Sequence, residues 1–328
     1  MRYRTVVPVL LAALALTLAA CGSSSKSSTS NAGSTTTAGG SGGKLIQRDA
    51  ANASKPTITI GSKNFTEEFV LGNIYAQALQ AAGYKVKTQL NLGSEQIAYK
   101  ALRGGQISAY PEYTGTALTS FYKVQITDVP KDAQATYQLV KKDAAKQGVV
   151  ALAPTPFTDS NGFAMTAAGA KQAGDPKTLS DLKAKAPALT IAGPPECRQR
   201  EDCLLGLESI YGLHFKKFIP VDPAKRHEVL TSGQVNVSEV FTTDGQIKAD
   251  NLVLLTDDKH MFPPYNATML VRKNVLDAAG PDFAKVVEQV GQGLTTPVMQ
   301  ELNSRVDLDK EPPAQVASEY LKEAGYVK

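Results

Sequence analysis

The sequence predicts an α/β protein with largely parallel sheets. Short runs of apolar and β-branched residues recur along the chain, and helical patterns separate most of them. This alternation is typical of strand–helix–strand units, in which a helix returns the chain to the start of the next parallel strand. With 328 residues, 42% of them apolar, the chain is long enough to bury the cores of two ordinary domains.

The first strand–helix–strand unit shows the pattern most clearly. Residues 57–60 form a short apolar run that predicts a buried strand. Apolar residues on one broad face predict a helix over 66–82, and Gly83 is a typical helix stop. A strand is predicted at 84–90, and Ser94 can N-cap the helix that follows it.

The same alternation continues to the C-terminus. Helices are predicted at 201–211 and 224–232, and more helices follow the last strand. The remaining strands are predicted at 149–152, 189–192, 217–220, 237–241, 253–255 and 266–272.

Residues 1–20 are predicted to be a signal peptide. Arg2 and Arg4 precede an uncharged apolar stretch that is too short for a membrane span of roughly 20 residues. The tetrapeptide 18–21, Leu-Ala-Ala-Cys, resembles a bacterial lipobox, in which Cys21 is acylated; a plain signal peptide with an incidental cysteine is the alternative. Two or more acyl chains on Cys21 would attach the protein durably to a membrane.

A flexible tether is predicted over residues 21–55. As far as Lys44 it consists almost entirely of Ser, Thr, Gly, Ala and Asn, which offer too little apolar surface to offset the entropy of ordering. We expect the folded sequence to begin near Pro56, so that a globular head lies outside the membrane.

Composition excludes several classes of function. The formal charge is +4, and removal of Arg2 and Arg4 with the signal would leave +2, so no strong field attracts nucleic acid. The three histidines are scattered, and the three cysteines are too few for a zinc ribbon. The sequence contains no G-x-S-x-G elbow, no P-loop and no dinucleotide-binding turn. We therefore expect no enzyme activity, no metal and no cofactor.

Five short segments carry the functional signal. One such segment would be a modest indication, but five in order are specific. They are Gly61–Glu67 (GSKNFTE), Tyr110–Thr116 (YPEYTGT), Pro195–Leu207 with its short stretches Pro-Glu, Arg-Glu-Asp and Gly-Leu, Thr242–Gly245 (TTDG) and Pro263–Asn266 (PPYN). In order and spacing they resemble the substrate-binding proteins of ABC importers for glycine betaine, choline and related osmoprotectants, over about 57–328.

The resemblance implies a bilobal periplasmic-binding-protein fold of type II, with two α/β lobes joined by a two-segment hinge. Lobe 1 would be discontinuous, comprising 56–158 and 265–328, and lobe 2 would comprise 159–264. A ligand would lie in the cleft, and closure of the lobes around it would be read by an ABC permease. The resemblance also implies a monomer.

The ligand class implies an aromatic cage. A trimethylammonium group carries charge but no N–H, so a protein holds it by shape and by the negative faces of aromatic rings. The sequence has no tryptophan, and the resemblance places Tyr113, Phe241 and Tyr265 at cage positions. Taken singly, each of these aromatics could equally be a core or surface residue.

The resemblance also implies a site for the carboxylate of a betaine. Lys63, Thr116 and Arg200 match positions that receive it, since carboxylates favour cationic and hydroxyl donors. Arg200 could alternatively be a solvated helix residue. A further cage position is expected at Asp159 or Phe163, where the sequence lacks the tyrosine that is usual in relatives.

Cys197 and Cys203 lie on either side of Arg200. An exported protein folds in an oxidising compartment, which favours a disulfide between them. Such a bridge would hold Arg200 in place, and a catalytic or metal-binding thiol is the alternative.

The sequence therefore predicts a lipid-anchored receptor that delivers a quaternary amine, such as glycine betaine, choline or carnitine, to an ABC permease. A receptor for a larger betaine, such as a trimethylated histidine derivative, is one alternative. A lipoprotein that senses osmolytes without transporting them is another.

Overall fold

The computed structural model describes residues 44–328, so the predicted signal peptide, Cys21 and most of the predicted tether lie outside it. Its strands are β1 (Ile58–Gly61), β2 (Val86–Gln89), β3 (Ala109–Tyr113), β4 (Val149–Ala151), β5 (Asn161–Met165), β6 (Thr190–Gly193), β7 (Lys217–Pro220), β8 (Val237–Phe241), β9 (Val253–Leu255) and β10 (Ala267–Arg272).

Helices alternate with these strands through most of the chain, as an α/β protein requires. They are α1 (Thr66–Ala81), α2 (Glu95–Arg103), α3 (Thr114–Thr116), α4 (Ala133–Ala145), α5 (Ala167–Gln172), α6 (Leu204–Ser209), α7 (Arg226–Thr231), α8 (Gln246–Ala249), α9 (Lys273–Ala279), α10 (Pro281–Gly291), α11 (Thr296–Asp307) and α12 (Pro313–Glu323). No helix within residues 44–328 is both long and apolar enough to cross a membrane.

The strands form two five-stranded sheets with the same topology. The first has the order β2-β1-β3-β10-β4 and the second the order β7-β6-β8-β5-β9. We call the parts of the protein built around these sheets lobe 1 and lobe 2. Each sheet packs apolar side chains on both faces, so each lobe has a core of its own.

The prediction of largely parallel sheets is only half right. In each sheet two strand pairs are parallel, but β10 runs antiparallel to β3 and β4, and β5 runs antiparallel to β8 and β9. Both antiparallel strands are the first to follow a passage of the chain from the other lobe. Such a strand has no preceding helix in its own lobe to reverse the chain, so it is free to run against its neighbours.

Two extended segments cross between the lobes side by side. Thr158 and Asn266 form an isolated antiparallel bridge, and the Asp159 amide donates to the Tyr265 carbonyl over 3.1 Å. The Tyr265 amide in turn donates to the Thr158 hydroxyl. These bonds place Asp159 and Tyr265 at the base of the space between the two sheets.

The folded chain begins earlier than the sequence predicts. Residues 44–55 were predicted to be tether, but the Ile46 amide donates to the Tyr326 carbonyl, and Ala50–Ser54 form a short 3₁₀ helix. The buried Asn52 side chain donates to the carbonyl of Ala82, at the end of α1. Tertiary hydrogen bonds of this kind leave no periodic pattern in the sequence.

Candidate functional site

A cleft between the lobes contains a cavity that is partly open to solvent. Side chains from both lobes line it, so one ligand would contact both at once. Lobe 1 contributes the lining residues Lys63, Asn64, Phe65, Ser94, Glu95, Tyr113, Thr116 and Tyr265. Lobe 2 contributes Asp159, Asn161, Pro194, Glu196, Arg200, Pro223, Glu239 and Phe241.

Aromatic rings from both lobes meet in this cleft. Phe65 comes directly before α1, and its ring centroid lies 6.2 Å from that of Tyr113 and 5.0 Å from that of Phe241. Tyr113 ends β3 and Phe241 ends β8, which are strand ends of the kind where open α/β sheets bind ligands. The Lys63 ammonium already covers one face of Tyr113 and the Arg226 guanidinium one face of Phe241, so the arrangement can offer a ligand cation the remaining ring faces.

Hydroxyl groups hold two of the rings in place. The Tyr113 hydroxyl donates to Glu67 over 2.7 Å, and the Tyr265 hydroxyl donates to Asp202 over 2.7 Å. Both tyrosines are almost fully buried, and burial raises the pKa of both hydroxyls well above the usual value. They therefore stay protonated and keep donating.

Lys63 lies at the end of β1, where its ammonium is already paired. Its Nζ is 2.5 Å from Glu112 Oε1, 3.8 Å from Glu68 Oε1 and 4.3 Å from the ring centroid of Tyr113. Burial lowers the pKa of Lys63, but the two carboxylates outweigh burial and raise it above the usual value. Lys63 is thus a buried, charged partner of lobe 1 carboxylates.

Arg200 is engaged in a similar way. Its Nε lies 2.7 Å and its Nη2 2.5 Å from the two oxygens of Asp202, a bidentate ion pair. Its Nη2 also lies 3.5 Å from the Thr116 hydroxyl and its Nη1 3.9 Å from Glu95, so Arg200 spans the two lobes. Arg200 is therefore a largely buried, paired residue and not a solvated helix residue.

Asp159 lies in the cleft, whereas Phe163 does not. Asp159 accepts from the amide and the hydroxyl of Thr243, and burial raises its pKa well above the usual value, with a further contribution from nearby Glu67. Phe163 packs in the lobe 2 core against Phe262, with ring centroids 6.2 Å apart. Asn161 and Phe163 are two residues apart on β5, so their side chains are separated by about 6.6 Å along the strand. Asn161 therefore faces the cleft, and Phe163 lies in the core of lobe 2.

A disulfide joins Cys197 to Cys203, with 5.2 Å between their Cα atoms. The Arg200 amide donates to the Cys197 carbonyl, and the Cys203 amide donates to the Arg200 carbonyl. The bridge therefore encloses the backbone of Arg200, which limits how far its guanidinium can move.

Reasoning from the sequence missed several cleft residues. Phe65 lies within the quoted motif Gly61–Glu67, and an aromatic beside Lys63 was the available signal. Glu95 and Glu239 gave no signal, since each is a single acidic residue in a helix or a strand, and Glu196 lies within the quoted segment Pro195–Leu207 without an assigned role. Together with Asp159 they make the lining rich in carboxyl groups.

Comparison with known proteins identifies the family. A model of the substrate-binding domain of ABC-type glycine betaine transport systems matches residues 56–323. The glycine-betaine-binding protein of Pseudomonas aeruginosa is 36% identical over 284 residues, covering 84% of this chain and 90% of that protein. The carnitine transport binding protein of Listeria monocytogenes is 30% identical over 282 residues, covering 84% of this chain and 89% of that protein.

Solved structures confirm the bilobal fold that the resemblance implied. A crystal structure described as a glycine betaine/carnitine/choline ABC transporter superposes with a TM-score of 0.64 at 26% identity, covering 81% of this chain and 98% of that one. The matching family is one of transport proteins and not of enzymes. The larger-betaine and sensor alternatives are not favoured by these similarities. The chain therefore belongs to the family of substrate-binding domains of ABC-type glycine betaine transport systems.

Proposed function

We propose that this protein is a lipid-anchored receptor that captures a quaternary amine outside the membrane and delivers it, without chemical change, to an ABC permease. The observation that carries the proposal is the meeting of Phe65, Tyr113, Phe241 and Tyr265 in a cleft between two lobes. A quaternary nitrogen has no N–H to donate and no lone pair to accept a hydrogen bond, so ring faces are the means by which a protein recognises it.

The cleft residues that the sequence predicts have distinct roles in this proposal. The aromatic residues hold the methylated head. Lys63, Thr116 and Arg200 provide the polar part of the cleft wall, and Asp159 supports the base of the cleft beside the crossing segments. None of these roles requires a covalent bond of the ligand to form or break, so we propose binding without catalysis.

Closure of the lobes is proposed to trap the ligand. The Thr243 hydroxyl of lobe 2 lies 2.6 Å from Glu67 of lobe 1, and the Asn303 amide of lobe 1 donates to the Thr243 carbonyl over 3.3 Å. These contacts join the lobes beside the aromatic cluster. A hinge motion that breaks and remakes them would open and close the cleft.

Gly245→Ala is expected to weaken ligand binding by hindering closure. A Cβ built on Gly245 of lobe 2 collides with the Ser304 hydroxyl of lobe 1 and lies 3.2 Å from the Ser304 Cα. The clash exists only while the lobes are together, so the closed fraction falls and the apparent Kd rises roughly tenfold or more. Isothermal titration of the purified protein with choline and glycine betaine measures this effect.

A rescue variant serves as the control for Gly245→Ala. Adding Ser304→Gly removes the side chain that the new methyl group meets, and it should restore most of the affinity. The melting temperature without ligand should change little in Gly245→Ala. A variant that binds as the wild type does would show that the lobes need not approach this closely.

The membrane anchor is proposed from the sequence. Cys21→Ser removes the sulfur that would be acylated, and we expect it to move the exported protein from the membrane fraction to the soluble fraction. Mass spectrometry of the wild-type N-terminus should find a diacyl or triacyl cysteine. An unmodified Cys21, or a signal cleaved at another residue, would contradict the anchor and leave the binding function intact.

The main test is a titration of the protein with glycine betaine, proline betaine, choline and carnitine. We expect binding in the micromolar range or tighter to at least one, with no product formed, and elution from a sizing column as a monomer. A ligand at 100 times its Kd should stabilise the fold by about 2.7 kcal/mol, which a thermal-shift assay detects. Absence of binding to every quaternary amine would refute the proposal.

A further inference from the structure

Glu239 is a buried carboxyl group of the cleft that receives no hydrogen bond within the described part of the chain. The residue is 1% exposed and lines the cavity from β8. Its Oε2 has no partner among residues 44–328. Its Oε1 lies 3.6 Å from Sγ of Cys203, but that sulfur belongs to the disulfide and carries no proton to donate.

Buried polar groups of folded proteins are nearly always hydrogen-bonded, so a carboxyl group without a donor calls for an explanation. Glu239 lies two residues before Phe241 on the same strand, so both side chains point to the same face. The carboxyl group therefore lies about 6.6 Å along the strand from an aromatic ring of the cleft. A small ligand held by that ring would reach it.

The two cations of the cleft already have carboxylate partners. Lys63 is paired with Glu112 and Glu68, and Arg200 is held by both oxygens of Asp202. The other charged groups that line the cavity are acidic. A ligand that brings its own carboxylate would compete for cations that are taken and would meet further negative charge, whereas a plain cation would meet neither obstacle.

We propose that Glu239 is a specificity-determining residue whose carboxylate accepts a hydrogen bond from a ligand hydroxyl, and that it selects a choline-type amino alcohol over a betaine. The inference rests on the proposed function and narrows its substrate class. Choline offers a permanent cation and one hydroxyl donor. Glycine betaine offers the same head but a carboxylate and no donor, so it leaves Glu239 unsatisfied.

The electrostatic surroundings of Glu239 make the selection dependent on pH. Burial raises the pKa of Glu239 to about 7; Arg200 and Arg226 oppose this rise, and Asp202 and Glu196 add to it. Choline favours the ionised carboxylate, so its affinity should increase as pH rises through 7. Glycine betaine favours the protonated form, so its affinity should decrease over the same range.

The first experiment titrates the wild-type protein with choline and with glycine betaine at pH 6 and pH 8. If choline requires an ionised group with a pKa near 7, its affinity should rise about tenfold between these pH values. Choline should also bind more tightly than glycine betaine at pH 8. Tighter binding of glycine betaine at pH 8 would overturn the inference and leave the proposed function standing.

The second experiment repeats the titrations with Glu239→Gln, which keeps the shape of the side chain and removes its charge. We expect choline at pH 8 to lose at least tenfold in affinity and most of its pH dependence, and glycine betaine to lose no affinity at pH 6 and to gain affinity at pH 8, where the wild-type carboxylate opposes it. Glu228→Gln is the matched control, since the Glu228 side chain is 64% exposed on α7 of the same lobe and should change neither ligand's affinity.

Tetramethylammonium tests the hydroxyl contact separately, because it carries the methylated head alone. Choline should exceed it in affinity for the wild type, and Glu239→Gln should remove most of that advantage. An undiminished advantage, or equal losses for all three ligands, would overturn the inference. If Glu239→Gln does not fold, the pH dependence of the wild type's preference for choline over tetramethylammonium decides, since the raised pKa values of Glu68, Asp159 and Glu196 would affect both cations alike. Failure of every quaternary amine to bind the wild type would refute this inference and the proposed function together.

Discussion

Replacing Tyr113 and Tyr265 together with alanine is expected to weaken the binding of quaternary amines by roughly one to three orders of magnitude. Each ring contributes about 0.5–2 kcal/mol to the binding of a cation, so the pair contributes about 1–4 kcal/mol. That range corresponds to a loss of roughly five- to a thousandfold in affinity. Isothermal titration of the double variant and of each single variant with choline and glycine betaine measures it.

The matched control replaces the same two residues with phenylalanine. The ring faces remain, and only the hydroxyl bonds to Glu67 and Asp202 are lost. We expect the phenylalanine pair to keep affinity within about tenfold, since the two hydroxyl bonds hold the rings in place but do not touch the methylated head. A folded alanine pair that still binds as the wild type does would show that the ligand lies elsewhere.

Arg200→Met is expected to destabilise the protein by about 3–5 kcal/mol, because it leaves the buried Asp202 without its guanidinium partner. Asp202 is fully buried, and the ion pair with Arg200 holds the pKa of its carboxyl below the usual value against the opposing effect of burial. Urea unfolding of the ligand-free protein, followed by circular dichroism, measures the change in free energy.

The double variant Arg200→Met/Asp202→Asn separates a lost charge partner from lost packing. It removes both charges and keeps a hydrogen-bond acceptor for the Tyr265 hydroxyl, so most of the lost stability should return. If the double variant loses as much unfolding free energy as the two single variants together, the ion pair does not account for the destabilisation by Arg200→Met. Ligand affinity should stay reduced in both variants, since neither restores the contact of Arg200 with Thr116.

Much of the fold was open to reasoning from the sequence because local patterns report local structure. The helix predicted over 66–82 is α1 (Thr66–Ala81), and the strands predicted at 217–220, 237–241 and 253–255 match β7, β8 and β9. Each of these elements has the apolar period or the terminating residues that its geometry requires. The direction of β5 and β10 was not predictable in this way, since it depends on the passage of the chain between lobes.

The candidate site was predictable to the extent that motifs mark it. Tyr113, Thr116, Arg200 and Tyr265 lie within quoted motifs, and the structure brings all four to one cleft. Phe163 shows the limit, because a shift of two residues along a strand moves a side chain from the cleft into the core.

The sequence by itself determined the α/β class, the family and three of the aromatic residues that line the cleft, Tyr113, Phe241 and Tyr265, because these depend on residue types and on their order along the chain. Only the tertiary structure decided which charges are already paired and which cleft carboxyl group has no donor among residues 44–328. Lys63 forms an ion pair with Glu112, and Arg200 forms one with Asp202. Glu239 accepts no hydrogen bond from either cation. Such pairings depend on distances between residues far apart in the chain, and electrostatic interactions and hydrogen bonds act over distance in space and not along the sequence.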